Sequence, residues 1–153
     1  METTQTMDIG IIGLAVMGSN LALNMADHGF KVAGFNRSPA ATEKLVAAHP
    51  HANLHAFYDL KSFLAALKKP RKVMLMIKAG PPVDQMLTQL IPLLEPGDIV
   101  LDGGNSFFKN TNRRARLLQE HGLNYFGVGV SGGETGARRG PSLMPGGPAA
   151  AYP

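Results

Sequence analysis

The sequence predicts an α/β fold of the doubly wound (Rossmann) type, a mostly parallel sheet with helices on both faces. Short apolar runs of strand length alternate with segments of helical period along the 153 residues, and this alternation is typical of parallel sheets with crossover helices. The run VMLMI at residues 73–77 is apolar throughout, as expected for a strand that is covered on both faces.

Strands are predicted at residues 8–13, 31–36, 53–57, 72–77, 98–102 and 124–130. Helices are predicted from about Val16 to a stop at Gly29, and over residues 38–49, 59–69, 81–94 and 106–121. Ser38 and Asp59 are predicted N-caps, and Pro92 is predicted to end or kink the fourth helix.

The chain is expected to be one nucleotide-binding domain, residues 1–130, followed by a glycine-rich site loop and the truncated start of another segment, residues 131–153. A long glycine-rich loop usually belongs to a site. We therefore interpret the chain as the front part of a longer protein.

Composition and charge narrow the function classes. The chain has no cysteine and a net charge of +4, and its basic residues are scattered without interleaved aromatic residues. This pattern favours an anionic small molecule over nucleic acid as the ligand.

No metal site is predicted, because the histidines near residue 50 lack acidic or cysteine partners. The opening METTQTMDIG resembles neither a signal peptide nor a membrane span, so a cytoplasmic location without membrane association is expected.

The stretch GLAVMG, from Gly13 to Gly18, follows a predicted strand and precedes a predicted helix. It resembles the dinucleotide fingerprint G-x-G-x-x-G with Ala15 at the middle glycine. In that turn the first glycine allows the tight bend, the last allows helix and strand to pack closely, and the helix N-terminus binds a pyrophosphate. The alternative is an ordinary strand-to-helix turn with no ligand.

The end of the second predicted strand carries Asn36, Arg37 and Ser38. An NAD site would place an acidic residue here to bind the ribose 2′-hydroxyl, whereas a guanidinium suits the 2′-phosphate of NADP. We therefore predict NADP as the cofactor. The alternative is that Asn36 and Ser38 only start the next helix, with Arg37 solvated.

Three further loops are predicted at the same carboxyl edge of the sheet, where open α/β sheets bind ligands. They are IKAG (77–80), DGGNS (102–106) and SGGE (131–134). Asn105 or Ser106 could instead be an N-cap, and Glu134 is either a solvated residue or a proton-transfer group.

Together, GLAVMGSNLALNMADHGF, FNRS, IKAG, DGGNSFF and GVGVSGGETGARRGPSLMPGG resemble the decarboxylating 6-phosphogluconate dehydrogenase family. The resemblance implies an NADP site made of Gly13, Leu14, Ala15, Val16, Met17, Gly18, Asn36, Arg37, Ser38, Ile77, Lys78, Ala79 and Asn105. It implies that Asn105, Ser131, Gly132 and Gly133 bind the substrate, 6-phosphogluconate.

In the family, 6-phosphogluconate is oxidised and decarboxylated to ribulose 5-phosphate, and NADPH is formed. The resemblance places the catalytic lysine and glutamate, the helical domain and the homodimer interface beyond Gly147. No catalytic residue is therefore assigned within this chain, and we expect the chain alone to be inactive. The alternatives are a stand-alone nucleotide-binding or regulatory module, and a related β-hydroxyacid dehydrogenase.

Overall fold

The computed structural model describes residues 7–48, 53–104, 108–131 and 142–146. The strands of this part of the chain are β1 Ile9–Ile12, β2 Val32–Phe35, β3 Leu54–Phe57, β4 Lys72–Leu75, β5 Ile99–Asp102, β6 Asn124–Ser131 and β7 Ser142–Gly146. The helices are α1 Val16–Asp27, α2 Pro39–Ala48, α3 Leu60–Ala65, α4 Pro81–Leu90 and α5 Phe108–Glu120. None of these helices is long and apolar enough to cross a membrane.

The strands form one sheet in the order β3-β2-β1-β4-β5-β6-β7. Strands β1 to β6 are parallel to their neighbours, and β7 runs antiparallel to β6. The doubly wound prediction is confirmed. Because the strand order reverses at β1, between β2 and β4, a crevice is expected at the carboxyl ends of β1 and β4.

Alternate residues of the strands enter two cores, one on each face of the sheet. Ile11 packs in the core that contains Leu21 of α1 and Leu45 of α2. Its neighbour Ile12 packs in the other core, which contains residues of α3, α4 and α5 such as Phe63. Burying one such side chain contributes about 1.5–3 kcal/mol, so the two cores fix the register of the sheet and the positions of its carboxyl-end loops.

Two elements differ from the sequence prediction. Helix α3 ends at Ala65 rather than near residue 69, because Leu67 forms a parallel β-bridge with Met7 and Lys68 N–H donates to the Met7 carbonyl. By contrast, α4 ends at Leu90 and continues as a 3₁₀ turn that contains Pro92, as predicted.

The second difference is β7, which was not predicted from the sequence. It lies within residues 131–153, which were assigned to a site loop and the start of another segment. The predicted boundary between residues 130 and 131 falls inside β6, and β7 pairs along that strand. Its Pro145 cannot donate a ladder hydrogen bond, which is tolerated at the end of a sheet and weakens the strand signal in the sequence. Residues 142–146 therefore extend the sheet of the first unit.

A buried ion pair joins the amino ends of β4 and β5. The Asp98 carboxylate accepts from the backbone N–H of Arg71 at 2.8 Å, from the Arg71 guanidinium at 3.2 Å and from the Glu95 N–H at 2.8 Å. Arg71 also donates through Nε to the Leu64 carbonyl at 3.0 Å. Because both side chains are nearly inaccessible to water, each charge depends on the other for its compensation.

We expect Asp98→Ala to destabilise the fold by about 3–5 kcal/mol, because it leaves the Arg71 charge buried without its partner. Urea unfolding followed by circular dichroism measures the change. The control is Glu95→Gln, which breaks the exposed ion pair with Lys69 and should cost less than about 1 kcal/mol. Equal losses in the two variants would contradict this account of Asp98.

Candidate dinucleotide-binding site

The turn between β1 and α1 is shaped by two glycines. Gly13 has φ +101°, a conformation that other residues rarely adopt, and a Cβ there would meet the Met76 carbonyl oxygen. A Cβ on Gly18 would meet the carbonyl oxygen of Gly13. The first turn of α1 therefore lies directly on the end of β1, as the fingerprint predicted.

Ala15 is the N-cap of α1 and has φ −73° and ψ −167°. This is extended backbone that any L-residue adopts, so the turn does not need glycine at this position. The side chain makes no capping hydrogen bond, and the first turn contains no acidic residue. The N–H groups at the start of α1 and the positive end of its dipole are thus available to an anion.

Asn36 connects this turn to the turn after β2. Its Oδ1 accepts from the Leu14 N–H at 2.9 Å, and its Nδ2 donates to the Ser38 carbonyl at 3.2 Å. Asn36 therefore does more than start α2. Arg37 and Ser38 are exposed beside it, and in the described part of the chain no residue accepts a hydrogen bond from the Arg37 guanidinium.

Two clefts meet at the first turn of α1. One, of about 440 Å³, opens toward the carboxyl ends of β4 and β5. Its lining residues are Ala15, Val16, Met17, Gly18, Met76, Ile77, Gly103 and Gly104. The other, of about 420 Å³, lies between α1 and α2 and shares Ala15 and Val16 with the first. The structure thus brings the fingerprint together with Ile77, whereas Lys78 and Ala79 do not line either cleft.

The turn after β5 packs against the end of β4. A Cβ on Gly103 would approach the Met76 sulfur to 2.5 Å, and one on Gly104 would meet the Ile77 carbonyl oxygen. The buried Asp102 carboxylate holds this turn, accepting from the Gly104 N–H at 3.0 Å and from the Tyr125 hydroxyl at 2.7 Å. Burial and the neighbouring carboxylate raise the pKa of Tyr125, so the phenol stays protonated and donates.

Arg114 was missed from the sequence, where it counts as one of the scattered basic residues. Its side chain is fully buried; Nε donates to Asp84 at 2.9 Å and a terminal nitrogen to the Gly80 carbonyl at 3.0 Å. The hydrogen bond from Arg114 holds the pKa of Asp84 below its usual range. A signal was present, because Arg114 precedes the buried Leu118 by four residues and so shares its helix face. Met76 lies in the apolar run that predicted β4, yet it also lines the cleft of about 440 Å³.

Several predicted residues of the site lie outside the described residues. These are Asn105, Ser106, Gly132, Gly133 and Glu134. Ser131 is the last residue of β6. Their roles stay predictions.

Comparison with known proteins gives the family. Residues 8–153 match the family described as the NAD binding domain of 6-phosphogluconate dehydrogenase. The chain belongs to this family. The match covers nearly the whole chain, so it includes both the sheet and the turns that carry the candidate site.

Relatives in this family are similar over most of the chain. A decarboxylating 6-phosphogluconate dehydrogenase from Chlamydia pneumoniae is 56% identical over 95% of the chain and 31% of the relative. The solved 6-phosphogluconate dehydrogenase of Plasmodium falciparum is 45% identical over 95% of the chain and 32% of its own, with a TM-score of 0.90. The fold is shared with a 3-hydroxyisobutyrate dehydrogenase of Mycobacterium tuberculosis, with a TM-score of 0.82. The two are 24% identical, and the match covers 99% of this chain and 48% of the Mycobacterium chain. The chain therefore spans about a third of the length of the 6-phosphogluconate dehydrogenases it matches.

We expect Gly18→Ala to destabilise the chain by about 1–3 kcal/mol, because the new methyl group overlaps the Gly13 carbonyl. In an exposed helix the same change stabilises by about 1 kcal/mol, so the sign of the effect is diagnostic. Chemical denaturation gives the value. Asn20→Ala in the next turn, which removes one exposed hydrogen bond to Val16, should stay within about 0.5 kcal/mol. A stabilising Gly18→Ala would show that α1 does not lie this close to β1.

Proposed function

We propose that this chain is the NADP-binding portion of a 6-phosphogluconate dehydrogenase, which oxidises and decarboxylates 6-phosphogluconate to ribulose 5-phosphate and forms NADPH. The observation that carries the proposal is the first turn of α1, which Gly13 and Gly18 allow to lie on the end of β1. Two comparisons support it: the family match, and the similarity to the Plasmodium falciparum enzyme, which has been solved in complex with its cofactor NADP+ and in complex with its substrate 6-phosphogluconate.

The described residues fit the cofactor in three places. The N–H groups at the start of α1 would bind the pyrophosphate, next to Gly13, Leu14, Ala15, Val16, Met17 and Gly18. Arg37 and Ser38, with Asn36 between the two turns, would bind the 2′-phosphate. Ile77, Lys78 and Ala79 would lie along the nicotinamide half, in and beside the cleft of about 440 Å³.

Arg37 supports NADP over NAD on physical grounds. It is exposed at the carboxyl end of β2, in a loop where an NAD site would carry a carboxylate. A guanidinium offers paired donors that match two phosphate oxygens, and Arg37 has no hydrogen-bond acceptor among the described residues to compete with a phosphate. The N-terminal turn of α2 lies next to it and adds a favourable dipole.

When bound, NADP would accept the hydride from the substrate. The residues of this chain would bind and orient the cofactor. Asn105, Ser131, Gly132 and Gly133 are proposed to bind 6-phosphogluconate at the same edge of the sheet, and no residue of the chain is assigned as acid or base. The same proposal includes the cytoplasmic location and the homodimeric state of the whole enzyme. It also includes the cofactor domain, whose sheet extends past residue 130 to residues 142–146.

We expect Arg37→Ala to weaken NADP binding by about 1–3 kcal/mol, the cost of losing a charge-assisted contact, and to leave NAD binding nearly unchanged. Isothermal titration calorimetry of the chain with each cofactor measures both. The control is Arg116→Ala, an exposed arginine on α5, which should alter neither affinity. Equal losses for NADP and NAD in Arg37→Ala would remove Arg37 from 2′-phosphate recognition.

A further inference from the structure

Two turns form the wall opposite α1 in the cleft of about 440 Å³. The turn after β4 runs from Met76 to Gly80, and the turn after β5 contains Gly103 and Gly104. The two turns touch through Met76 and Ile77. Gly103 contacts the Met76 side chain and Gly104 contacts the Ile77 carbonyl, so this contact joins the beginnings of the two turns.

Arg114 of α5 contacts the end of the first turn and, through Asp102, the second turn. One of its terminal nitrogens donates to the Gly80 carbonyl at 3.0 Å, where the first turn ends. Its other terminal nitrogen lies 3.7 Å from the Asp102 carboxylate, which accepts from the Gly104 N–H of the second turn. Arg114 therefore reaches Gly80 directly and Gly104 through Asp102.

We propose that Arg114 is a positioning residue that locks these two turns to each other and so sets the shape of the nicotinamide half of the cofactor site without touching the cofactor. The inference rests on the proposed function, since it assumes that NADP occupies this cleft. It assigns to α5, which does not line the cleft, a role in binding.

The arrangement needs the planar guanidinium. Nε and one terminal nitrogen bind the two oxygens of Asp84 at 2.9 and 3.2 Å, while other N–H groups point toward Gly80 and Asp102. A lysine ammonium is a single point with three donors and cannot span these partners. The side chain is 0% exposed, so water cannot replace a lost contact at the same place.

The two halves of NADP are expected to depend on Arg114 to different degrees. The adenosine half, with its 2′-phosphate, would lie at the end of β2 beside Arg37, on the far side of α1 from the two turns. The nicotinamide half would lie on the β4 and β5 side, against the wall that Arg114 holds. A loss of positioning should weaken NADP and spare a ligand that contains only the adenosine half.

The test compares NADP with adenosine 2′,5′-bisphosphate by calorimetry on the same 153-residue chain, at a temperature at which each variant is folded. We expect Arg114→Lys to weaken NADP about tenfold, a size typical of residues that act through a network, and the bisphosphate less than twofold. Tyr125→Phe and Asp84→Asn, which each remove one hydrogen-bonding group from the network, should change the affinity ratio in the same direction by a smaller factor. They carry the test if Arg114→Lys does not fold.

The matched control is Arg113→Lys. Arg113 is the neighbouring arginine on α5 and also binds Asp84, but its side chain is 56% exposed and, among the described residues, donates no hydrogen bond to either turn. Neither affinity should change in this variant. A merely structural role for Arg114 would lower the melting temperature without changing the ratio of the two affinities.

Equal weakening of the two ligands, or unchanged NADP binding in folded Arg114→Lys, would overturn the positioning role. If Arg114→Lys does not fold, an unchanged affinity ratio in Tyr125→Phe and Asp84→Asn would overturn it. Failure of the unaltered chain to bind either ligand would instead overturn the proposed function, and this inference with it. If the unaltered chain binds the bisphosphate and NADP with equal affinity, the nicotinamide half does not bind in the cleft. This result would also contradict the inference.

Discussion

The candidate site depends on the close packing of four glycines against one dipeptide, Met76–Ile77. Two of these glycines lie in the β1–α1 turn and two in the β5–α5 turn, and a Cβ added to any of them would approach the backbone or a side chain of this dipeptide. The distances include 3.2 Å from Gly18 to the Met76 Cβ and 2.8 Å from Gly13 to the Ile77 Cγ2. Three turns from three neighbouring strands therefore meet closely, with Met76 and Ile77 between them and no side chain contributed by the four glycines. This contact brings the helix N-terminus of α1 and the backbone of the other two turns to the same cleft.

The four glycines have no side chains that could hold the turns in place. Polar side chains at the ends of neighbouring strands hold them instead. Asn36 joins the turns after β1 and β2, and Asp102 joins the turn after β5 to Tyr125. In both cases the side chain accepts from a turn N–H and leaves the rest of the turn facing the cleft. The buried charges are compensated, because Asp102 lies near the fully buried Arg114 and Arg114 in turn binds Asp84. Such pairing offsets the desolvation penalty that an isolated buried charge would carry.

The sequence predicted the sheet and most of its helices because alternation of apolar strands with helical segments is a local pattern. The start of α1 at Val16 and the positive φ of Gly29 after it follow from local turn chemistry. The misses are non-local: the end of α3 depends on a bridge from Leu67 to Met7, and β7 depends on pairing with β6 across a long connection. In the site, Gly13 and Gly18 could be predicted from their spacing, whereas the burial of Arg114 depends on Asp84, thirty positions earlier.

Ala15 differs from Gly13 and Gly18 in what the fold requires of each position in the fingerprint. Gly13 and Gly18 are required by the chain itself, since any side chain there would overlap a carbonyl oxygen. Ala15 has an ordinary φ of −73°, so nothing in the protein's own packing requires glycine there. Ala15 instead lines both of the clefts that meet at α1. In the proposed complex a pyrophosphate would approach the backbone at this position, so alanine would change the depth of that approach while leaving the turn intact.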